Sequence, residues 1–263
     1  MSSSSFEMLR GAAALSAIAK MLDHSLLRPE LTDAEVSAGL AVARARGVAS
    51  VCVRPCDVPA AAAALAGSGV AVSTVIGFPL GCSTTATKVA EAREALAGGC
   101  TELDMVINIG ALRSGRLADV QADVAAVVAV AAAAGGRVKV ILENAYLDDG
   151  QKKAGVAAAS AAGAAWVKTS TGFAASGSTP ADLRLMRAAA PPHVQVKGAG
   201  GLRTLDAVLE ARACGATRCG ATASAAILDE LQKRIDAAAP GEDVLLPRAA
   251  PAAPAQAQHA QAY

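Results

Sequence analysis

The chain has 263 residues, of which 53% are hydrophobic and only 2% aromatic, and its formal net charge is +1. That balance exerts no long-range pull on nucleic acid or an anionic membrane surface, and so few aromatics argue against a base-stacking platform for single strands. The length suits one (β/α)8 barrel, typically about 250 residues, and the Ala- and Val-rich composition supports a sizeable core.

The opening stretch, MSSSSFEMLRGAAALSAIAK, reads as an amphipathic lead-in helix, because its apolar part is short, has Glu7 and Arg10 just ahead of it and runs straight into the pattern of the folded body. Short β-branched runs then alternate with Ala-rich helical segments. The predicted strands cover 20–23, 49–53, 70–76, 102–108, 138–143, 165–169, 194–197 and 217–219. Predicted helices between them include Asp33–Arg46, 87–97, 118–133, 181–189 and Leu205–Ala213. Thr32 and Glu35 have the spacing of a capping box, and Thr179 precedes Pro180 as an N-cap precedes a proline at the first helical position. Eight strands alternating with helices argue for a parallel sheet with helices outside, and eight units favour closure into an α/β TIM barrel. No GxGxxG follows the first strand, which counts against a dinucleotide-binding open sheet. Residues 1–240 thus read as a single barrel domain. Beyond them, GEDVLLPRAAPAAPAQAQHAQAY lacks periodicity and reads as a disordered Pro/Ala/Gln tail.

The six cysteines form no CxxC pair and are expected to be reduced thiols of a cytoplasmic protein. His24, His193 and His259 are scattered and make no HExxH-like set, so neither a metal nor an organic cofactor is expected. No uncharged apolar run reaches the length of a membrane span.

In a (β/α)8 barrel, functional side chains come from the C-terminal ends of strands and the loops that follow. That rule selects Asp104 in the fourth strand, Lys168 at the end of the sixth and Lys197 at the end of the seventh. Neighbouring strands lie about 4.8 Å apart. Two ammonium groups about 6 Å apart repel by about 3 kcal/mol at an effective dielectric of about 20, and desolvation acts in the same direction. One of the lysines is therefore expected to be a free amine near neutral pH, as a Schiff-base nucleophile must be. A single strand-end lysine is more often a solvated surface charge; two beside a carboxylate are not so simply explained. Lys139 and Glu143 share a face by alternation and read as a structural ion pair.

A second set reads as a phosphate cradle. Three successive strand ends release Thr171-Gly172, then Gly200-Gly201 with Arg203, then Gly220-Ala221-Thr222 at the start of a last helix. Glycines let the backbone approach an anion, and helix N-termini bind phosphate. Taken singly, each glycine pair is also compatible with a plain tight turn.

These residues lie in segments that resemble the deoxyribose-phosphate aldolase family: LDHSLLRP (22–29), SVCV (50–53), ELDMVINIG (102–110), VKVILE (138–143), VKTSTGF (167–173) and KGAGGLRT (197–204). The resemblance implies that Lys168 forms the Schiff base, that Lys197 lowers its pKa and assists proton transfer, and that Asp104 serves acid–base steps through a water. It also implies that Asp23, Ser25 and Cys52 line the substrate pocket. Gly172, Gly200, Gly201, Arg203, Gly220 and Thr222 would hold the phosphate, with Thr171 beside them. Its implied reaction is cleavage of 2-deoxyribose 5-phosphate to glyceraldehyde 3-phosphate and acetaldehyde, carried out by a homodimer without cofactor. Two positions depart from the family's pattern: Ala221-Thr222-Ala223 keeps one hydroxyl where serines are common, and Gly198 replaces a frequent Ala or Pro. Tyr263 at the chain end is a candidate proton donor to the enamine. Another Schiff-base barrel lyase and a non-catalytic phosphate-binding barrel remain the alternatives.

Overall fold

The structure, a computed structural model, describes residues 6–9, 11–238 and 244–247. Eight parallel strands close a barrel in sequence order. They are β2 (Leu22–Leu26), β3 (Ser50–Val53), β4 (Ala71–Ile76), β5 (Glu102–Val106), β6 (Arg137–Ile141), β7 (Trp166–Lys168), β8 (Gln195–Ala199) and β9 (Arg218–Ala221). The principal outer helices are α2 (Asp33–Arg46), α3 (Val58–Leu65), α4 (Thr85–Ala97), α6 (Leu117–Ala133), α7 (Asp149–Ala161), α8 (Pro180–Ala189), α9 (Leu205–Ala213) and α10 (Ser224–Ala237), with a short α5 (Ile109–Arg113) after β5. This is the (β/α)8 TIM barrel that the strand–helix alternation indicates.

The lead-in helix is α1 (Gly11–Ala19), and it is preceded by a strand, β1 (Phe6–Leu9). From the segment beyond 240, Val244–Pro247 forms β10 and pairs antiparallel with β1, Leu9 opposite Val244. Composition gave no hint of this ribbon, because its two halves lie at opposite ends of the chain. The remaining tail, with Tyr263, lies outside the described residues.

Helix ends follow local chemistry. The Thr32 hydroxyl accepts the Glu35 N–H at 3.3 Å while the Glu35 carboxylate accepts the Thr32 N–H at 2.8 Å, a reciprocal capping box, and α2 ends at Gly47 with φ +59°. Thr179 caps α8 ahead of Pro180. Replacing Thr32 with alanine is expected to cost about 1 kcal/mol, read from urea unfolding followed by the fluorescence of Trp166, the single tryptophan.

The sheet's two faces bury different matter. Outward residues such as Val51, Val72, Leu103, Met105, Val140, Val167 and Val196 pack against the helices and form the hydrophobic core. The alternate, inward positions carry Asp23, Ser73, Glu102, Asp104, Lys139, Trp166, Lys168, Lys197 and Arg218, so the lumen is charged. Trp166 lies near its lower end, with Arg137 and Arg218 guanidinium carbons 4.8 and 5.2 Å from its ring centre, close enough for cation–π attraction.

A candidate active site at the mouth of the barrel

Lys168 and Lys197 are register partners on β7 and β8, which points both side chains to the same face. Each donates to the same oxygen of Asp104, Oδ2, at 2.7 Å. Lys139 on β6 donates to Asp104 Oδ1 at 2.8 Å and lies 2.8 Å from Glu102 and 3.5 Å from Asp23. Lys197 is in addition 2.5 Å from Asp23, which also accepts from Arg218 at 2.5 Å. Ser73 completes the set by donating to Asp104 Oδ1 at 3.2 Å.

These contacts separate the lysines. Burial lowers Lys168, its bond to Asp104 pulls it back, and the nearby Lys197 lowers it again, leaving it below the ordinary lysine value. Burial also lowers Lys197, but Asp104 and Asp23 together outweigh it and raise its pKa. Lys139 is raised as well, because Asp104, Asp23 and Glu102 overcome its burial. For Asp104 itself, burial favours the neutral acid, yet the side chains of Lys139, Lys168 and Lys197 hold it well below the usual carboxylate range. The sequence-based expectation assigned the shift chiefly to lysine–lysine repulsion. In the structure desolvation is the larger cause, and the shared carboxylate between the two amines moderates their repulsion.

Charge balance acts in the same direction. Asp23, Glu102 and Asp104 supply three enclosed negative charges, against Lys139, Lys197 and Arg218. Protonating Lys168 adds a fourth cation to a desolvated space; leaving it neutral closes the balance. Arg137, half exposed at the lower rim, reaches Glu102 from solvent and stands outside this set.

Above the network opens a cavity of about 410 Å³. Lys168 and Lys197 form its floor together with Asp23, Ser25 and Cys52. Its wall includes Thr171, Gly172, Gly200, Gly201, Arg203, Gly220 and Thr222, so all the sequence-selected site residues among the described ones line it except Asp104, which lies directly beneath. Sequence reasoning missed the opposite rim, Leu27, Arg28, Pro29 and Glu30, with Phe173 and Leu202. Arg28 and Glu30 pair with each other there. Their signal was weak because loop residues carry no periodicity.

The wall has the character of an anion cradle. Gly200 and Gly201 take φ +82° and +86°, a region costly for side-chain-bearing residues. The α10 N-cap, Ala223, has no side chain able to cap the helix, whereas threonines cap α8 and α9. The first-turn N–H groups of α10 therefore have no side-chain cap where Gly220-Ala221-Thr222 meets the cavity, and such groups attract anions. The thiol of Cys52 is pushed up by burial and by Asp104, so it stays protonated.

One expectation fails. Lys139 and Glu143 do not pair: β6 stops at Ile141, and Glu143 turns away at φ +57° toward Thr171. Strand alternation stops applying once the strand has ended.

Fold and site together define a closed (β/α)8 barrel with a buried lysine of lowered pKa at the floor of an open cavity. The chain belongs to the DeoC/LacD family of aldolases, whose family model matches residues 15–225. It is 48% identical over 218 residues to the deoxyribose-phosphate aldolase of Rhodopirellula baltica, spanning 83% of this chain and 90% of that protein. It is 47% identical over 218 residues to that of Staphylococcus haemolyticus, spanning 83% and 98%. The tetrameric deoxyribose phosphate aldolase structure from Aeropyrum pernix superposes with a TM-score of 0.78 at 30% identity, over 84% of this chain and 93% of that one.

Proposed function

We propose that this protein is a deoxyribose-phosphate aldolase, a lyase that reversibly cleaves 2-deoxyribose 5-phosphate through a Schiff base on Lys168. The observation that carries the reading is the asymmetric lysine pair: one amine tied to a single shared carboxylate, the other to two.

In the cleavage direction, the neutral Lys168 amine adds to the aldehyde carbon of the open-chain sugar, and loss of water gives the iminium. Removal of the C3 hydroxyl proton sends the C2–C3 bonding pair into that electron sink, releasing glyceraldehyde 3-phosphate and leaving an enamine. Protonation at C2 and hydrolysis then release acetaldehyde and restore the amine. Asp104, linked to Lys168, Lys139 and Lys197, serves the proton transfers through a water, while Lys197 supplies positive charge that disfavours a second ammonium beside it. Asp23, Ser25 and Cys52 face the sugar. Gly172, Gly200, Gly201, Arg203, Gly220 and Thr222 receive the phosphate, with Thr171 beside them in the wall. None of these steps calls for a metal or organic cofactor.

Gly177 supports the same wall from behind, since a Cβ there would stand 2.3 Å from the Gly200 carbonyl oxygen. Gly177→Ala is expected to displace the Gly200-Gly201 turn and raise KM for the phosphorylated sugar about tenfold, because loss of one or two well-placed backbone contacts has that size. Initial-rate kinetics read this directly.

The reading extends to a homodimer in the cytoplasm, with reduced cysteines, four of them buried and unpaired; light scattering distinguishes two copies from four. Tyr263 is the proposed proton donor to the enamine, an assignment that unchanged turnover after its deletion would remove. A coupled assay for glyceraldehyde 3-phosphate tests the activity itself. Borohydride added with substrate should inactivate the enzyme and leave the modified residue at 168. Cleavage that survives such reduction would point to another chemistry, and tight phosphate binding without cleavage to a binding barrel.

A further inference from the structure

The carboxylate of Glu143 has no place in the chemistry above, yet its setting is unusual. Glu143 is the one non-glycine among the described residues with positive φ, +57°. Its side chain is buried, and no cation pairs with it among the described residues. A buried carboxylate without a counter-ion is costly unless hydrogen bonds satisfy it, and a side-chain-bearing residue in this backbone region adds local strain. Both costs fall on the residue just past the end of β6, at the cavity end of the barrel.

The hydrogen bonds that offset those costs all come from Thr171. The Thr171 N–H donates to both Glu143 oxygens at 3.3 Å, and its hydroxyl donates to Oε2. With its proton committed to Glu143, the Thr171 oxygen accepts the Phe173 N–H at 3.0 Å. The segment Thr171–Phe173 is thereby folded over Gly172, which takes φ +89°. Phe173 ends the turn edge-on against Phe78, ring centres 5.2 Å apart. The backbone stitches the same two strand exits together, with Leu142 N–H donating to Lys168 O at 3.0 Å and Asn144 N–H to Thr169 O at 2.9 Å. Thr171, Gly172 and Phe173 all line the cavity, three to five residues beyond the Lys168 amine.

We propose that Glu143 is a positioning residue that fixes the Thr171–Phe173 wall for the phosphorylated end of the substrate, acting through Thr171 and never touching the sugar. A negative charge so near an anion site would repel a phosphate if it faced the cavity. Turned behind Thr171, it is spent on that residue's N–H and hydroxyl instead. This inference rests on the phosphate-receiving wall of the proposed function.

The test compares Glu143→Gln and Glu143→Gly with the unaltered full-length protein. Glycine removes the tether while suiting the positive φ, so its fold is not expected to suffer from backbone strain. Glutamine keeps the shape and one acceptor oxygen. Two measurements are made on each: KM for 2-deoxyribose 5-phosphate, and the rate at which borohydride traps phosphate-free acetaldehyde on Lys168. The expected result is KM raised about tenfold or more in the glycine variant, as loss of hydrogen bonds to a charged group implies, with an intermediate rise for glutamine. Trapping should change less than about twofold, since Lys168 and Asp104 keep their partners. KM and trapping altered in equal proportion, or KM unmoved in the folded glycine variant, would overturn the proposal. Absence of any acetaldehyde adduct in the unaltered protein would instead undo the aldolase reading.

Discussion

Lys168→Met is expected to reduce cleavage of 2-deoxyribose 5-phosphate by at least about 10⁴-fold, the scale seen when a covalent nucleophile is removed. Methionine matches the lysine stem in length and enters a buried position, so packing at the floor of the cavity survives. The variant should also be at least as stable as the parent at neutral pH. Lys168 has its pKa lowered in the folded state, so the unfolded chain binds more protons at this site. Parent stability should accordingly rise with pH between the lowered folded value and the ordinary lysine value. The stability of the parent relative to Lys168→Met should therefore improve as pH rises through that window, which denaturant titrations at several pH values measure. A nucleophile knockout that folds well and gains relative stability toward lower pH would be hard to explain if Lys168 were an ordinary ammonium ion.

The second large effect belongs to Asp104. Asp104→Leu leaves Lys139, Lys168 and Lys197, now 2.7–2.8 Å from that carboxylate, facing an apolar group. Removing one partner of a buried ionic network costs about 3–5 kcal/mol, and the loss should be visible in unfolding midpoints. The parent's advantage should shrink in acid, because a carboxyl held well below its usual range contributes stability that is lost as pH falls through its folded pKa. Asp104→Asn is the gentler probe. It keeps size and a hydrogen-bond acceptor but removes the charge that draws Lys168 upward. Imine formation with acetaldehyde should then persist to lower pH than in the parent, while overall cleavage falls about 10²–10⁴-fold from loss of acid–base assistance. Cleavage and trapping measured on one preparation separate the two roles of the carboxylate.

How much of this could be read in advance depended on which face of the sheet spoke. Outward-facing apolar residues signalled β4, β5 and β6 clearly, because their runs are β-branched and bounded by turns. Inward-facing residues hid the rest. In β2 the lumenal Asp23 and Ser25 interrupt LDHSL, so the expected strand stopped at 23 although the observed one runs to Leu26. In β8 and β9, Gly198-Ala199 and Gly220-Ala221 resembled loop although both pairs are strand. The site was legible as residue types at strand positions, above all Asp104, Lys168 and Lys197. Its electrostatics were not, since no spacing rule reveals that one carboxylate sits between two lysines, or that Lys139 joins them from β6. The Glu143 turn escaped for a related reason: the strand ends two residues earlier, at Ile141, with no breaking residue to mark it.

Two lysines that share one carboxylate are shifted in opposite directions, Lys168 below the ordinary lysine value and Lys197 above it. Nitrogen-15 or carbon-13 NMR titration of the lysine side chains, assigned with Lys168→Met and Lys197→Met, tests it most directly. The expected result is a Lys168 midpoint clearly below that of surface lysines, with Lys197 still protonated where surface lysines lose their proton. A Lys168 amine that titrates with the surface lysines, or a Lys197 that deprotonates first, would contradict it.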